Sequence, residues 1–390
     1  MVANHSGKSS TSRTRASACV GHVSEHSIEH KGMKMRLCVK TSPLPKKATA
    51  ILGIIALCVT SHLQAADFLL FPSFGGVAQS NPEPGTNRYV LYPELDLFYT
   101  ANSDDIKFLG EYAATRDGRE MERLLLGWAP NNENTLWFGR YHIPLGYWAT
   151  EFHHGAFLQT SITPPAIAFD DEGGPFPTHP SGLFLEGVHY SKQASINYGL
   201  GLGIGPVLEE QQLTPLNILD PAGQKGKLVA SARLSYRPEA ETPNEIGVFA
   251  AHSIIPVIYL PVTEVTQNLT GLYFNQGTAH SRLFGELYLA GNQLDGAASA
   301  RTSSFASAYI QEEYKIYSAW TLFGRIENTF GANGDPYLNL LPQFINRRVL
   351  GGARYEINAN QAAKFELSQN RQQDGIHFSQ LAIQWSMVIQ

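Results

Sequence analysis

From about residue 88 to the C-terminus the chain alternates apolar side chains with polar or small ones. Leu228, Ala230, Ala232, Leu234 and Tyr236 alternate with Lys227, Val229, Ser231, Arg233, Ser235 and Arg237. Ile196, Tyr198, Leu200, Leu202 and Ile204 alternate with Asn197, Gly199, Gly201 and Gly203. Val349 to Ile357 and Leu381 to Ile389 repeat the pattern. Successive side chains of a strand point to opposite faces, so each segment has one apolar face and one polar or small face.

A soluble sandwich and a membrane barrel both produce that alternation. Sandwich strands are usually about five or six residues long, whereas a membrane-spanning strand needs about nine to eleven. The segments 195–206, 226–237, 281–291 and 347–358 are of the longer kind. Arg233, Arg325, Glu327, Arg354, Glu356, Lys364 and Glu366 fall mid-strand on the polar face, which suits a water-filled lumen. The sequence thus predicts an all-β fold, a transmembrane antiparallel β-barrel. Roughly fifteen or sixteen strands fit, and the even-number rule selects sixteen, with fourteen as the alternative.

Turn signals agree. Breaks at 192–194, 316–318 and 358–360 suit tight turns, and the polar stretches 207–225, 291–303 and 329–346 suit longer loops at the other rim. Residues 67–87 read either as an insert into the lumen or as the start of a first strand at Phe68–Phe71. Tyr89, Tyr99, Tyr112, Tyr141, Trp148, Tyr190, Tyr236, Tyr273, Tyr309, Trp320 and Tyr355 fall near expected strand ends, where an interfacial girdle would lie.

The N-terminal part changes the picture. Lys46-Lys47, the apolar stretch Ala48–Thr60 and the small residues up to Ala66 have the three parts of a secretory signal. Thirteen helical residues rise about 20 Å, short of the roughly 30 Å of a bilayer core. We therefore expect residues 33–65 to be a signal peptide and 66–390 the barrel, with 1–32 an over-extended or disordered leader. Without residues 1–65, Lys plus Arg falls from 29 to 20 and Asp plus Glu from 34 to 32, leaving a net charge of −12. Cys19, Cys38 and Cys58 all lie in the removed part, so the mature chain has neither a disulfide framework nor a thiolate metal site. The negative balance and the lack of a basic patch argue against a nucleic-acid partner.

Taken together, these features resemble a Gram-negative outer-membrane porin of the general or phosphate-selective type. Phe138 to Gly146 is similar to the strand-ending stretches of such proteins, and the non-aromatic end Val388-Ile389-Gln390 departs from their usual pattern. The resemblance implies passive diffusion of small polar or charged solutes across the bacterial outer membrane. It also implies contact with outer-membrane lipid and lipopolysaccharide, a homotrimer, and no cofactor. It further implies that the loop after the fifth strand folds into the lumen. Asp170, Asp171 and Glu172 would then face Arg140, Arg233, Arg325 and Arg354, and opposed charges of that kind set ion selectivity. Lys227, Glu327 and Glu356 complete the pore-lining candidates. Gly199, Gly201 and Gly203 leave space on the inward face for that loop's backbone.

Other chemistry is less well supported. His153 and His154, with Glu151 and His179 near in sequence, are candidate metal ligands, but neighbours on a strand point opposite ways and could share a site only in a loop. No complete Ser/His/Asp constellation is evident, so we expect no enzyme. The competing expectation is a plugged, non-conducting barrel that binds a ligand or a periplasmic partner.

Overall fold

The computed structural model describes residues 65–390 apart from 83–86, 117, 153–154, 170, 172, 219–224, 259–260 and 297–300. The expected leader and signal segments therefore lie outside the described residues, except Ala65.

Sixteen antiparallel strands close into one barrel. In chain order its first seven are β1 (Ala65–Gln79), β2 (Tyr89–Ser103), β3 (Ile106–Ala114), β4 (Arg119–Asn131), β5 (Asn134–Arg140), β6 (Ser181–Ser191) and β7 (Ala194–Ile204). A small hairpin, β8 (Val207–Glu209) with β9 (Gln212–Thr214), stands apart from the wall. The wall resumes with β10 (Leu228–Arg237), β11 (Glu245–Pro256), β12 (Val262–Gly277), β13 (Ser281–Gly296) and β14 (Arg301–Tyr317). It ends with β15 (Trp320–Phe330), β16 (Ile345–Asn358), β17 (Gln361–Gln372) and β18 (His377–Met387). Strand β1 closes the ring by pairing with both β2 and β18, with Phe74 opposite Trp385.

Closure follows from the solvent. A strand edge exposed to hydrocarbon would leave its N–H and C=O groups unpaired at several kcal/mol each, so a spanning sheet has to close. The alternation does the rest. On β7 Leu200 and Leu202 are exposed while Gly199, Gly201 and Gly203 are buried, and on β18 Ile383 is exposed while Gln384 and Ser386 are buried. The greasy side is thus the outside, an arrangement that only lipid makes favourable.

Some boundaries differ from expectation. Residues 291–303 are mostly wall, because β13 runs to Gly296 and β14 resumes at Arg301. Of their polar side chains, Asn292 and Ser303 face inward and bond each other: Asn292 donates to Ser303 Oγ at 3.2 Å and accepts from Gln267 at 2.9 Å. Residues 67–79 are no insert, since they form most of β1. The girdle holds for Tyr89, Tyr236, Trp320 and Tyr355, which are exposed on the outer wall, whereas Tyr190 stands opposite the buried Ser195 and is exposed at the rim on the inward-facing side of β6. Tyr141, Trp148, Tyr273 and Tyr309 are instead buried inside the barrel, so aromaticity near a strand end does not distinguish a lipid anchor from lumen packing.

The outward face makes a direct prediction. Leu200 is 51% exposed in mid-strand. In water its replacement by arginine would be nearly neutral, but at a bilayer midplane it should cost about 2–4 kcal/mol. Denaturant titration of Leu200→Arg folded into vesicles should show that loss, and unchanged stability would refute lipid exposure of this face.

Candidate functional site: the inserted loop and the space it leaves

Between β5 and β6 the chain leaves the wall at Tyr141 and returns at Ser181, and this segment lies inside the barrel. Its entry is built by glycines. The inward face of β7 has no side chain at Gly201, where a Cβ would lie 2.7 Å from the Tyr141 hydroxyl and 2.9 Å from its ring. Tyr141 then stacks on Phe184 of β6 with centroids 5.1 Å apart. Burial pushes the Tyr141 hydroxyl well above the ordinary tyrosine range.

An intruding loop brings backbone groups that no sheet satisfies, and wall side chains answer them one by one. Glu286 on β13 accepts from the backbone N–H of Tyr147 (3.0 Å) and Trp148 (2.6 Å) and from the hydroxyls of Tyr288 and Tyr309 (both 2.5 Å). Those two N–H groups open the one-turn helix α1 (Trp148–Glu151). Gly146 just before it has φ +90°, and a Cβ there would sit 2.0 Å from Glu286 Oε2, so only glycine fits. Glu327 on β15 accepts from Ala166 N–H at 2.8 Å, and Glu366 on β17 accepts from Ile162 N–H at 2.9 Å and from Thr163.

The loop's carbonyls go to basic wall residues. Arg325 donates to Thr163 O (2.6 Å), Ser161 Oγ (3.1 Å), Gln311 (2.8 Å) and Glu327 (2.8 Å). Arg348 donates to Pro164 O at 2.8 Å, and Arg354 to Phe157 O at 2.5 Å and Gln159 O at 2.8 Å. Lys364 donates to Ala156 O. These four cations of β15–β17 are buried beneath the loop. External segments lean on it too: Tyr337 donates to Pro175 O at 2.6 Å, and Leu208 and Leu213 of the β8–β9 hairpin are fully buried.

The sequence-derived candidates fall into separate places. Asp171 is buried but faces no arginine; it accepts from the N–H groups of Thr178 (2.5 Å) and His179 (3.2 Å) and contacts the His179 ring at 3.2 Å. Tight loop geometry had spent this carboxylate before it could face the wall. Asp170, Glu172, His153 and His154 lie outside the described residues. Arg140 pairs with Glu120 of β4 and donates to Leu216 O at 3.1 Å. Arg233 pairs with Glu245 at 2.5 Å and lies over the Tyr273 ring, far along the wall from Arg325. Glu356 pairs with Arg354 at 2.7 Å, and Lys227 pairs with Glu264 next to the loop rim. Among the described residues no group of three or more His, Cys, Asp or Glu is placed to hold a metal.

Two cavities remain along β2–β7, the side that the loop does not fill. Toward the loop rim, about 470 Å³ lies between the loop and a row of carboxylates: Glu94 and Asp96 of β2, Glu111 of β3, Glu120 and Glu122 of β4. Toward the short-turn rim, about 440 Å³ is lined by mixed charges including Lys107, Arg123, Glu133 and Glu186. Pairs of side chains stand between them. Arg123 donates to Glu111 at 2.6 Å, and the His142 and His179 rings meet edge-on at 5.0 Å. His179 Nε2 lies 3.0 Å from Glu122, and Gly155 N–H donates to Asp96, so the loop touches the acidic wall as well. The sequence carried a signal for this wall in Glu94-Leu95-Asp96 and Glu120-Met121-Glu122, where acids two residues apart share the inward face.

The outer membrane channel DcaP of Acinetobacter baumannii superposes with a TM-score of 0.53, covering 83% of this chain and 97% of that one at 11% identity. Salmonella typhi OmpF, in a complex with daunomycin, superposes with a TM-score of 0.54 over 83% and 97% at 10% identity. The fold is the porin-type outer-membrane barrel. By sequence the chain matches no protein-family model and no curated protein. Identities this low make the shared object the architecture, a closed barrel with a greasy exterior, rather than any set of side chains.

The anchoring can be tested. Glu286→Ala removes an acceptor for four buried donors, each costing about 1–3 kcal/mol if left unanswered. We expect a lower unfolding temperature and faster hydrogen exchange at the Tyr147 and Trp148 amides. Unaltered exchange there would mean that the loop is held by other contacts.

Proposed function

We propose that the protein is a passive outer-membrane channel, without a catalytic step, that admits small polar solutes and prefers cations. One observation carries the preference. The basic side chains of β15–β17 are covered by the inserted loop, whereas the carboxylates of β2–β4 line the cavity left beside it. A solute moving through that space passes a row of carboxylates, and where these are ionised the Coulomb attraction in a confined passage is stronger than in bulk water. The ions that arrive first are those the local field concentrates, so the net charge of −12 matters less than this placement.

The constriction reading rests on the same geometry. Glu111–Arg123 and the His142/His179 contact separate the two cavities, so passage requires these side chains to leave a gap for the solute. If they leave none, the molecule is the plugged barrel of the competing expectation.

Planar-bilayer recording with residues 66–390 in asymmetric KCl separates the two. We expect discrete conductance steps and a reversal potential of the sign for potassium over chloride. The triple variant Glu94→Gln, Asp96→Asn, Glu122→Gln should bring the permeability ratio several-fold closer to one, with the largest effect at low salt, where screening is weakest. An absence of steps from a correctly folded barrel would remove the channel function. Chloride preference would place the selectivity with the arginines instead.

A further inference from the structure

The cavity of about 440 Å³ toward the short-turn rim holds two charged groups that the protein itself does not neutralise. The other charged side chains around it are paired. Arg123 meets Glu111 at 2.6 Å, Arg233 meets Glu245 at 2.5 Å, Arg237 meets Glu151 at 2.9 Å, and Glu133 lies 3.4 Å from His189. Lys107 and Glu186 are the exceptions among the described residues. Lys107 of β3 donates to the Thr135 hydroxyl of β5 at 3.0 Å, and Glu186 of β6 accepts from the Trp137 indole N–H at 2.7 Å. Both partners are neutral, so each steadies a charge without balancing it.

The wall sets these two charges side by side. Thr135 stands directly opposite Glu186 across the β5–β6 pair. Residues so placed have Cβ atoms about 4.5–5.5 Å apart on one face of the sheet. The ammonium on the Thr135 hydroxyl is thus a near neighbour of the Glu186 carboxylate, yet no ion pair closes between them. The Trp137 ring packs against Gly127, where a Cβ would lie 2.6 Å from it, and its N–H holds Oε1 of Glu186. Glu186 is otherwise exposed to the cavity. On its far side the next inward position is Gly199, and Arg233 beyond that is held by Glu245.

We propose that this cavity is a subsite for a small zwitterion of the α-amino acid kind. Lys107 Nζ and the Thr135 hydroxyl, which has its own proton to donate, take the carboxylate, and Glu186 Oε2 takes the ammonium. The volume is that of an ordinary small-molecule site. This deepens the channel reading by naming a solute class, and it rests on that reading for the solute's arrival. The carboxylate row toward the loop rim favours the ammonium end, and Lys107 answers the other end.

The test is ligand-observed NMR on the folded barrel in mild detergent, which reads dissociation constants without any current. The probes are L-alanine, propionate (alanine without its ammonium) and ethylamine (alanine without its carboxylate). Alanine should bind several-fold more tightly than either fragment. Lys107→Met should weaken alanine about ten-fold or more and leave ethylamine unchanged. Glu186→Gln, whose amide oxygen still accepts from Trp137, should weaken alanine by a similar factor and spare propionate. Glu186 is exposed, so its variant carries the test even if Lys107→Met fails to fold. Propionate binding as tightly as alanine would make this a plain anion site and overturn the proposal. Alanine affinity unchanged by Glu186→Gln would overturn it too. The crossed pattern from a barrel that passes no current would keep the subsite and remove the channel, and current without the pattern would do the reverse.

Discussion

Everything inside this barrel depends on one requirement: a loop that enters the lumen must find partners for backbone groups no strand provides. The wall meets it with buried carboxylates for the loop's N–H groups and buried cations for its carbonyls. Glu286, Glu327 and Glu366 take the first role, and Arg325, Arg348, Arg354 and Lys364 the second. Neither set would be tolerable alone. A buried charge without a partner costs several kcal/mol, and here each charge is answered by a neighbour of opposite sign, a loop dipole, or both. Glu327, for example, lies between Arg325 and Arg348 and still accepts from Ala166.

That requirement also divides the lumen. The side that holds the loop is packed with aromatic rings. Phe176 stacks on Tyr288 at 5.7 Å, and Trp148 meets Phe152 at 5.1 Å. The side facing β2–β4 leaves a cavity lined by a row of carboxylates, of which Asp96 and Glu122 also meet the loop through Gly155 N–H and His179. An inward charge alone thus does not decide its role, and the position of the loop decides which inward charges it covers. A residue can be mid-strand, inward and charged without ever meeting a solute, as Arg325 and Arg354 are.

The wall was largely legible in the sequence because lipid imposes period-two alternation on every strand, and sixteen strands follow from its repetition. The turns at 192–193 and 359–360 fall within the breaks at 192–194 and 358–360 for the same reason. The turn at 318–319 extends one residue beyond the break at 316–318, because β14 runs on to Tyr317. Alternation is blind to what stands opposite, however. It marked Arg233 and Arg325 as inward without showing that β10 and β15 place them in different networks, and it read polar 291–303 as loop because an inward polar face looks like a turn. Asp171 shows the same limit. Its charge was visible, but its spending on Thr178 and His179 is a matter of local loop geometry. Glu94, Asp96, Glu120 and Glu122 were equally visible, and only the fold distinguishes the wall they form from the wall that the loop covers.

Net charge is therefore a poor guide to what this lumen presents. Of the inward cations on β15–β17, each is within hydrogen-bonding distance of a loop carbonyl, and the field it sends into the open cavity is offset by that dipole and by Glu327, Glu356 or Glu366 nearby. On β2–β4 the balance runs the other way. Arg123 and Arg140 answer Glu111 and Glu120, and Glu94, Asp96 and Glu122 meet Ser73, a backbone N–H and a histidine. A hydroxyl or an amide stabilises a carboxylate without supplying positive charge, so the two walls differ in how their inward charges are answered, and that difference follows from where the loop lies.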